Sequence, residues 1–387
     1  MSARQAVIVS ATRSPIGRAT KGSLIDMRPD DLAAAMVKAA LAKVPSLDPR
    51  EVEDVILGCA QPAGESGYNL GRVVSLLAGL GDVPGTTVNR YCASSLQAIR
   101  MAAHAIMAGE GDVLVCAGVE TVSRFGKGKS DGMPDTKNPR ITDRDGGFAD
   151  VYIPMIETAE NVALREKVTR AEMDEFAALS QQRAVASQES GFFAREITPV
   201  TTPGGAVVTK DDGPRAGTTA EKLAQLKPVL REDGTVTAGN ACPLNDGAAA
   251  VVVMSDARAR ALGIAPLARI VASGVSALAP EFMGLGPIEA TRQALRRAKM
   301  TMGDVDLVEI NEAFAAQVIP SARALGVPWE KLNVHGGAIA LGHPFGMTGA
   351  RIMTTLLNGL AATGKRIGLE TMCVGGGQGM AMIVERM

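Results

Sequence analysis

The sequence predicts an α/β protein whose core is one structural unit used twice, with a region of different character inserted between the copies. Three features of the 387 residues carry this expectation. Short apolar, β-branched runs alternate with stretches of helical periodicity, the pattern of βα units. The order of these elements near the start of the chain recurs near its end. Between the two copies lies a charged, turn-rich segment. Length alone is compatible with two or three domains or with one duplicated architecture.

The first copy opens with the strand Ala6–Ser10 (AVIVS). A helical pattern follows over Pro29–Lys43, with Asp30 and Asp31 near its positive end. Next come the strand Asp54–Gly58, a Gly/Asn-rich stretch and the helix Leu70–Ala78. The run VNRYCASSLQAIRMAAHAIMAG, residues 88–109, reads as a short strand Val88–Arg90 and a helix with small and apolar residues on several faces, hence buried. Asp112–Ala117 closes the unit. In the second copy Ala268–Ser273 matches the first strand, Gly286–Lys299 the first helix and Asp306–Asn311 the second strand. Asn333–Gly337 leads through Gly342-His343-Pro344 into the helix Gly349–Gly359, and Ile367–Cys373 closes the unit. The expected halves are therefore 1–117 with 245–266, and 267–387. The loop domain between them is 118–244. It holds the charged run Lys127–Asp150, the helix Arg170–Ser190 and the Gly/Pro-rich stretch Pro203–Gly217. A charged insertion on a rigid core is a natural place for ligand-binding loops.

Composition narrows the class. Hydrophobic residues make up 46% and aromatics only 3%, so the core is expected to be Ala, Val, Leu, Ile and Met. Forty basic against 41 acidic residues give a net charge of −1, which argues against a nucleic-acid or membrane electrostatic surface but permits a local basic patch for a phosphorylated ligand. The five Cys, at 59, 92, 116, 242 and 373, are odd in number, widely spaced and without a C-x-x-C pair. That speaks against a disulfide framework or a metal site and for free thiols in a reducing cytoplasm. The N-terminal apolar run is too short for a signal peptide, and no stretch approaches the ~20 apolar residues of a membrane span. The terminal VERM carries no retention or peroxisomal tag.

Cys92 is the first candidate for chemistry. It stands where a strand ends and a helix begins, and backbone N–H groups with the helix dipole favour a thiolate there. Small neighbours, Ala93, Ser94 and Ser95, leave room for a substrate. Cys59 and Cys116, on apolar strand ends, are expected to be buried and inert. His343 occupies the same strand-to-helix position in the second copy, so pseudo-symmetry would bring it to one central site with Cys92 as a base. Cys373 ends a strand before Val374-Gly375-Gly376-Gly377-Gln378-Gly379, a run able to present N–H groups to an oxyanion or to turn a hairpin. Asn311, after another strand, can orient a water or cap a helix. Gly128-Lys129-Ser130 is no phosphate loop, since Ser123 stands where the upstream Gly belongs, and no G-x-G-x-x-G follows a strand.

These residues resemble the signatures of the thiolase family. Cys92 in VNRYCASSLQA, NEAFA at 311–315, GGAIALGHP at 336–344 and CVGGGQG at 373–379 appear in order, with further matches in GNACPLNDGAAA at 239–250 and FMGLGPIEA at 282–290. The resemblance runs from Val7 to the C-terminus and is weakest over 125–153. It implies a five-layer α/β/α/β/α core and an acetyl-CoA C-acyltransferase working by ping-pong chemistry on 3-ketoacyl-CoA in fatty acid metabolism, with acetyl-CoA C-acetyltransferase activity. Cys92 would be acylated, His343 would activate it, and Cys373 would move the proton at the substrate α-carbon. Asn311 would hold a water that forms one oxyanion hole with His343. The N–H groups of Cys92 and Gly375 would form the other. Coenzyme A is substrate and product, and no metal or other cofactor is implied. Arg215 matches a position near the CoA nucleotide, Cys242 one that touches pantetheine, and Met155 and Met283 line the acyl pocket. Family members are homodimers or homotetramers.

Departures from the family pattern are Pro154, Ile156 and Cys242, where His, Gly and Ser are common. His335 replaces an Asn and is a minor candidate for site polarity. A ketoacyl synthase shares the duplicated fold, but the second Cys, Cys373, before Gly375–Gly377 favours thiolase. A non-catalytic CoA carrier is disfavoured by the presence of Cys92, Asn311, His343 and Cys373 together.

Overall fold

Strands form where the apolar runs lie. The computed structural model describes residues 4–143 and 145–387; residues 1–3 of the N-terminal run and Arg144 within the run 127–150 lie outside it. The first copy consists of β1 (Ala6–Arg13), β2 (Gly17–Arg18), α1 (Pro29–Ala42), β3 (Asp54–Gly58), α2 (Leu70–Leu77), β4 (Gly85–Val88), α3 (Ser94–Ala108) and β5 (Val113–Thr121). The insertion carries α4 (Pro139–Thr142), α5 (Met155–Arg165), α6 (Arg170–Glu189), β6 (Val200–Thr201), β7 (Val207–Val208) and α7 (Ala220–Ala224). Then come β8 (Asn245–Ser255), α8 (Asp256–Ala261), β9 (Ala268–Ala277), α9 (Gly286–Ala298), β10 (Leu307–Ile310), α10 (Ala315–Leu325), α11 (Ala338–Leu341), α12 (Thr348–Thr363), β11 (Ile367–Val374) and β12 (Gln378–Arg386).

The duplication is explicit in the strand order. The large sheet runs β10-β11-β12-β9-β1-β8-β5-β3-β4, with β2 attached to β8. Read outward from the centre, β1-β8-β5-β3-β4 corresponds to β9-β12-β11-β10, and the counterpart of β4 is reduced to a single parallel bridge, Val308 with Leu332. The two halves were expected as separate mixed sheets. A two-residue ladder, Val7 with Arg269 and Ile8 with Ala268, joins them edge to edge.

Side-chain alternation along the strands then makes five layers. Ala6 and Ile8 of β1 face a central layer with α3 and α12, while Val7 and Val9 face α1 and α2 outside. In the other half Met380 and Met382 of β12 face the central layer, and Ala381 and Ile383 face α9 and α10. The central helices are buried on most sides because both halves of the large sheet cover them, which explains their small and apolar composition.

Several boundaries differ from the sequence expectation. The strand before Cys92 ends at Val88, not Arg90, because the chain turns through Arg90 (φ −132, ψ 45) into Tyr91 at φ 42. β5 continues beyond Ala117 to Thr121 because its last residues pair with Asp246–Ala249 of β8. α12 runs past Gly359 to Thr363. Helix α10 was not anticipated: Pro320 lies inside it and removes one ladder bond, but burial of residues 315–322 holds the helix against the core.

Candidate active site

The turn that presents Cys92 is held in a sparsely populated backbone conformation. Tyr91 has φ 42, uncommon for a residue with a side chain. Two neighbours hold it there. Asn89 Oδ1 accepts from the Tyr91 N–H at 2.8 Å. The Ser94 hydroxyl accepts from the Arg90 N–H at 2.9 Å and donates to the Tyr91 carbonyl at 2.7 Å. The small residues after Cys92 thus include a clamp.

The glycine hairpin meets this turn from the other half. Val374 pairs with Gln378, and Gly376 and Gly377 both adopt φ +78 in the turn between them. The N–H groups of Gly375 and of Cys92 itself act on the Cys92 sulfur. The expectation that this position favours the thiolate is corrected by burial. Desolvation pushes the thiol up to about 11, and the two N–H groups offset only part of that.

His343 is 1% exposed and bonded through every polar atom of ring and backbone N–H. Its N–H donates to Asn245 Oδ1 at 3.1 Å. Nδ1 lies 2.6 Å from Thr348 Oγ1, whose own proton goes to the Pro344 carbonyl at 2.8 Å. The hydroxyl therefore accepts from Nδ1–H, and Nε2 carries the free lone pair. Asn311 Nδ2 donates to that Nε2 at 3.3 Å. Burial, with Arg351 a lesser cause, pushes the imidazole down to about 3, so it is neutral at pH 7. Gly342 precedes it at φ +112, with Asn245 Cγ 2.4 Å from where a Cβ would lie, so no side chain fits there.

Two contacts pin the halves together at this point. The Ser95 hydroxyl, on α3, accepts the Ala350 N–H of α12 at 2.9 Å. Buried Glu120, at the end of β5, accepts the N–H groups of Ala60 and Gly346 at 2.9 Å and of Gln61 at 3.2 Å. One carboxylate thus ties the turn after His343 to the first half. Burial raises it to about 7 although three N–H groups pull it down.

Cys373 is buried in a small cluster with Met283 and Ala313, packed against Met155, Cys242 and Phe314. Gln317 Nε2 donates to its sulfur at 2.7 Å. Burial pushes the thiol well up, and the nearby Cys92 adds to this. Asn311 caps no helix: α10 begins at Ala315 with Phe314 as its cap.

One cavity of about 660 Å³ is lined by Cys92 and His343 together with Met155, Met283, Cys242 and Arg215, whereas Cys373 packs against Met155, Met283 and Cys242 of that lining, and neither it nor Asn311 nor Gly375 lines the cavity itself. Arg18 lines it too, although the sequence reading did not single it out. A buried anchor explains its place. Arg13 bonds Glu196 at 2.6 Å and Asp211 at 2.7 and 2.9 Å, and Asp212 then accepts the Arg18 N–H at 2.9 Å. The loop carrying Arg215 is thereby set beside Arg18. His335 is elsewhere, stacked on Phe192 with centroids 3.5 Å apart and bonded to Ser187. Cys59 and Cys116 are buried, each with its thiol pushed up by desolvation. Thr348, Asn245, Glu120 and Gln317 are also absent from the sequence reading. Asn245 had a signal in the family-like stretch 239–250 and Glu120 in its place as a lone carboxylate closing an apolar run, whereas Thr348 and Gln317 had none. Among the described residues no group of three or more His, Cys, Asp or Glu is placed to hold a metal ion.

Comparison with known proteins agrees over the whole length. The family description "Thiolase, N-terminal domain" matches residues 6–257, and "Thiolase, C-terminal domain" matches 264–386. A β-ketoadipyl-CoA thiolase of Acinetobacter baylyi is 45% identical, covering 99% of this chain and 100% of the relative. The crystal structure of Bacillus anthracis acetyl-CoA acetyltransferase superposes with a TM-score of 0.90 at 40% identity, covering 99% of both chains. Human mitochondrial 3-ketoacyl-CoA thiolase superposes with a TM-score of 0.89 at 38% identity, covering 100% of both.

Proposed function

The chain belongs to the thiolase family, and from that premise we propose that its cavity cleaves 3-ketoacyl-CoA with coenzyme A, and runs the reverse Claisen condensation, through an S-acyl Cys92. The observation that carries this is the meeting of Cys92 and His343, from opposite halves, in one cavity with the Gly375 N–H on the sulfur. At pH 7 both groups are neutral. The thiol proton therefore passes to His343 Nε2 as the sulfur attacks the 3-keto carbon, not before. The resulting oxyanion is met by the N–H groups of Cys92 and Gly375. The C2–C3 bond then breaks, its electron pair goes to the thioester enolate, and Cys373 S–H protonates C2 to release acetyl-CoA. Asn311 Nδ2, beside His343 Nε2, is the polar group available to the enolate oxygen. The thiol of coenzyme A then gives its proton to the Cys373 thiolate and attacks the acyl-Cys92 carbonyl; the C–S bond to Cys92 breaks, the shortened acyl-CoA leaves, and the Cys92 sulfur takes its proton back from His343.

Arg18 and Arg215 form the cationic part of the cavity and suit the phosphates of CoA. Partial desolvation and the Arg18 charge both disfavour the Arg215 cation when no anion is present. Cys242, which lines the same cavity, is available as a weak partner for pantetheine. Apolar Met155, Ile156, Met283 and Phe314 favour a hydrocarbon acyl chain. Tyr68, Leu76 and Leu77 are exposed apolar residues that suit a contact between copies in a homodimer or homotetramer. Free thiols and the lack, among the described residues, of a helix fit to cross a membrane support a cytoplasmic location.

The decisive experiment follows the two half-reactions. Cys92→Ala is expected to abolish both the acetyl-enzyme formed from acetyl-CoA and thiolysis of acetoacetyl-CoA. Cys373→Ser is expected to retain acetylation of Cys92 while slowing C–C bond chemistry by about three orders of magnitude. Acetylation lost with condensation retained would reverse the roles of the two thiols.

A further inference from the structure

We propose that Gln317 is the positioning residue of Cys373: its amide orients the sulfur and stabilises the thiolate that takes the substrate α-proton. The inference rests on the role given to Cys373 above and adds a residue that role does not name.

Gln317 lies in the first turn of α10 and is 0% exposed. Its Nε2 reaches Cys373 Sγ at 2.7 Å and the Asn311 carbonyl at 3.5 Å. One side-chain amide therefore contacts both the residue proposed as acid/base and the strand end that carries Asn311. The side chain has little freedom. A Cβ on Gly284 would lie 2.8 Å from Gln317 Cβ, so a bare glycine makes room for the root of the side chain. Its Oε1 has no hydrogen-bond partner among the described residues. A buried amide with one orphan oxygen is a costly core filler, and Leu or Met would occupy the same volume without that cost. The polar group is explained by what it does at the sulfur.

In α-proton exchange the Cys373 thiolate takes a proton from the acetyl methyl group. The C–H bond breaks, an S–H bond forms, and the electron pair moves onto the thioester oxygen. The sulfur must be an anion in a site where burial, Cys92 and Cys242 all oppose the charge. The Gln317 N–H is the side-chain donor that opposes them.

The test uses full-length enzyme, acetyl-CoA and D2O. Gln317→Met removes the amide at similar volume; Gln317→Glu keeps the shape and puts a carboxylate at the sulfur. Two rates are read by mass spectrometry: acetylation of Cys92, and deuterium entry into the methyl group of acetyl-CoA. Both variants are expected to acetylate within about threefold of wild type. Deuterium exchange should fall about 10- to 100-fold in Gln317→Met, and its pH profile should move to higher pH, further in Gln317→Glu. Equal losses in acetylation and exchange would mean a packing role and overturn the proposal, as would unchanged exchange in both variants. Cys373→Ala separates the two levels. Exchange that survives in it defeats the acid/base role of Cys373 itself. Exchange lost in it but normal in both Gln317 variants defeats the proposal for Gln317 alone.

Discussion

Gly349→Ala measures how closely the two halves must approach for the chemistry to work. Gly349 is in the first turn of α12, five residues before Thr354 and directly after Thr348, the partner of His343 Nδ1. An added Cβ would lie 2.5 Å from the Leu96 nitrogen, 2.6 Å from its Cβ and 2.9 Å from its Cα on α3. Unbonded carbons rest ~3.5–4.0 Å apart, so the helices must separate by about 1 Å. Backbone atoms cannot rotate away as a side-chain tip can. Helix propensity gains about 1 kcal/mol from Gly to Ala, and overpacking costs about 1–3 kcal/mol, so the net loss of stability is expected to be about 0–2 kcal/mol. The rate is the more sensitive quantity. α12 follows the turn of His343 and α3 follows that of Cys92, so the same displacement opens the base–nucleophile pair, and a misplacement of about 1 Å is worth roughly 100-fold. The assay is the burst of Cys92 acetylation with acetyl-CoA, beside a thermal melt. An acetylation rate and a melting temperature both like wild type would refute the reasoning. So would a rate that falls only in proportion to the fraction unfolded.

Other outcomes follow from single contacts. Iodoacetamide alkylation of Cys92 should climb about tenfold per pH unit through pH 8–10, because a thiol raised to about 11 is deprotonated only as pH approaches that value; a plateau below pH 8 would reveal a preformed thiolate–imidazolium pair instead. Thr348→Val leaves His343 Nδ1–H without its acceptor at the same volume, and kcat for thiolysis is expected to fall about 10- to 100-fold, with about 1–3 kcal/mol of stability lost to the stranded donor. Arg13→Met strands the buried carboxylates of Glu196 and Asp211. A loss of about 3–5 kcal/mol in urea unfolding is expected, together with a higher KM for CoA as the Arg215 loop loosens; an unaltered unfolding midpoint would remove Arg13 as the anchor.

Much of the fold was legible because its repeat is local. Runs such as AVIVS and DVILG, and helical patterns such as Pro29–Lys43, depend on neighbours two to four positions away. Their order was enough to pair β1 with β9 and α1 with α9 as counterparts. Helix α10 was missed because Pro320 breaks the local rule and only its burial restores the balance. The short strand before Cys92 was misplaced because the positive φ of Tyr91 is held by Asn89 and Ser94, whose roles are not visible as a pattern.

The candidate site divides in the same way. Cys92, His343, Cys373, Asn311 and Gly375 were nameable from motif and family resemblance, because each stands at a strand end or helix start that short sequence patterns reveal. Which side chains serve them was decided only in three dimensions. Gln317 and Cys373 are 56 positions apart, and Glu120 and Gly346 are 226 apart. The charge expected at the site likewise depends on burial. A helix start favours a thiolate, but enclosure between the two halves of the sheet disfavours any charge, and here enclosure is the larger effect. The sequence by itself determined the parts and their order, since these follow from neighbours along the chain. Only the tertiary structure decided their partners, their charge and their access to the cavity, since those depend on what the rest of the fold leaves next to them once water has been excluded.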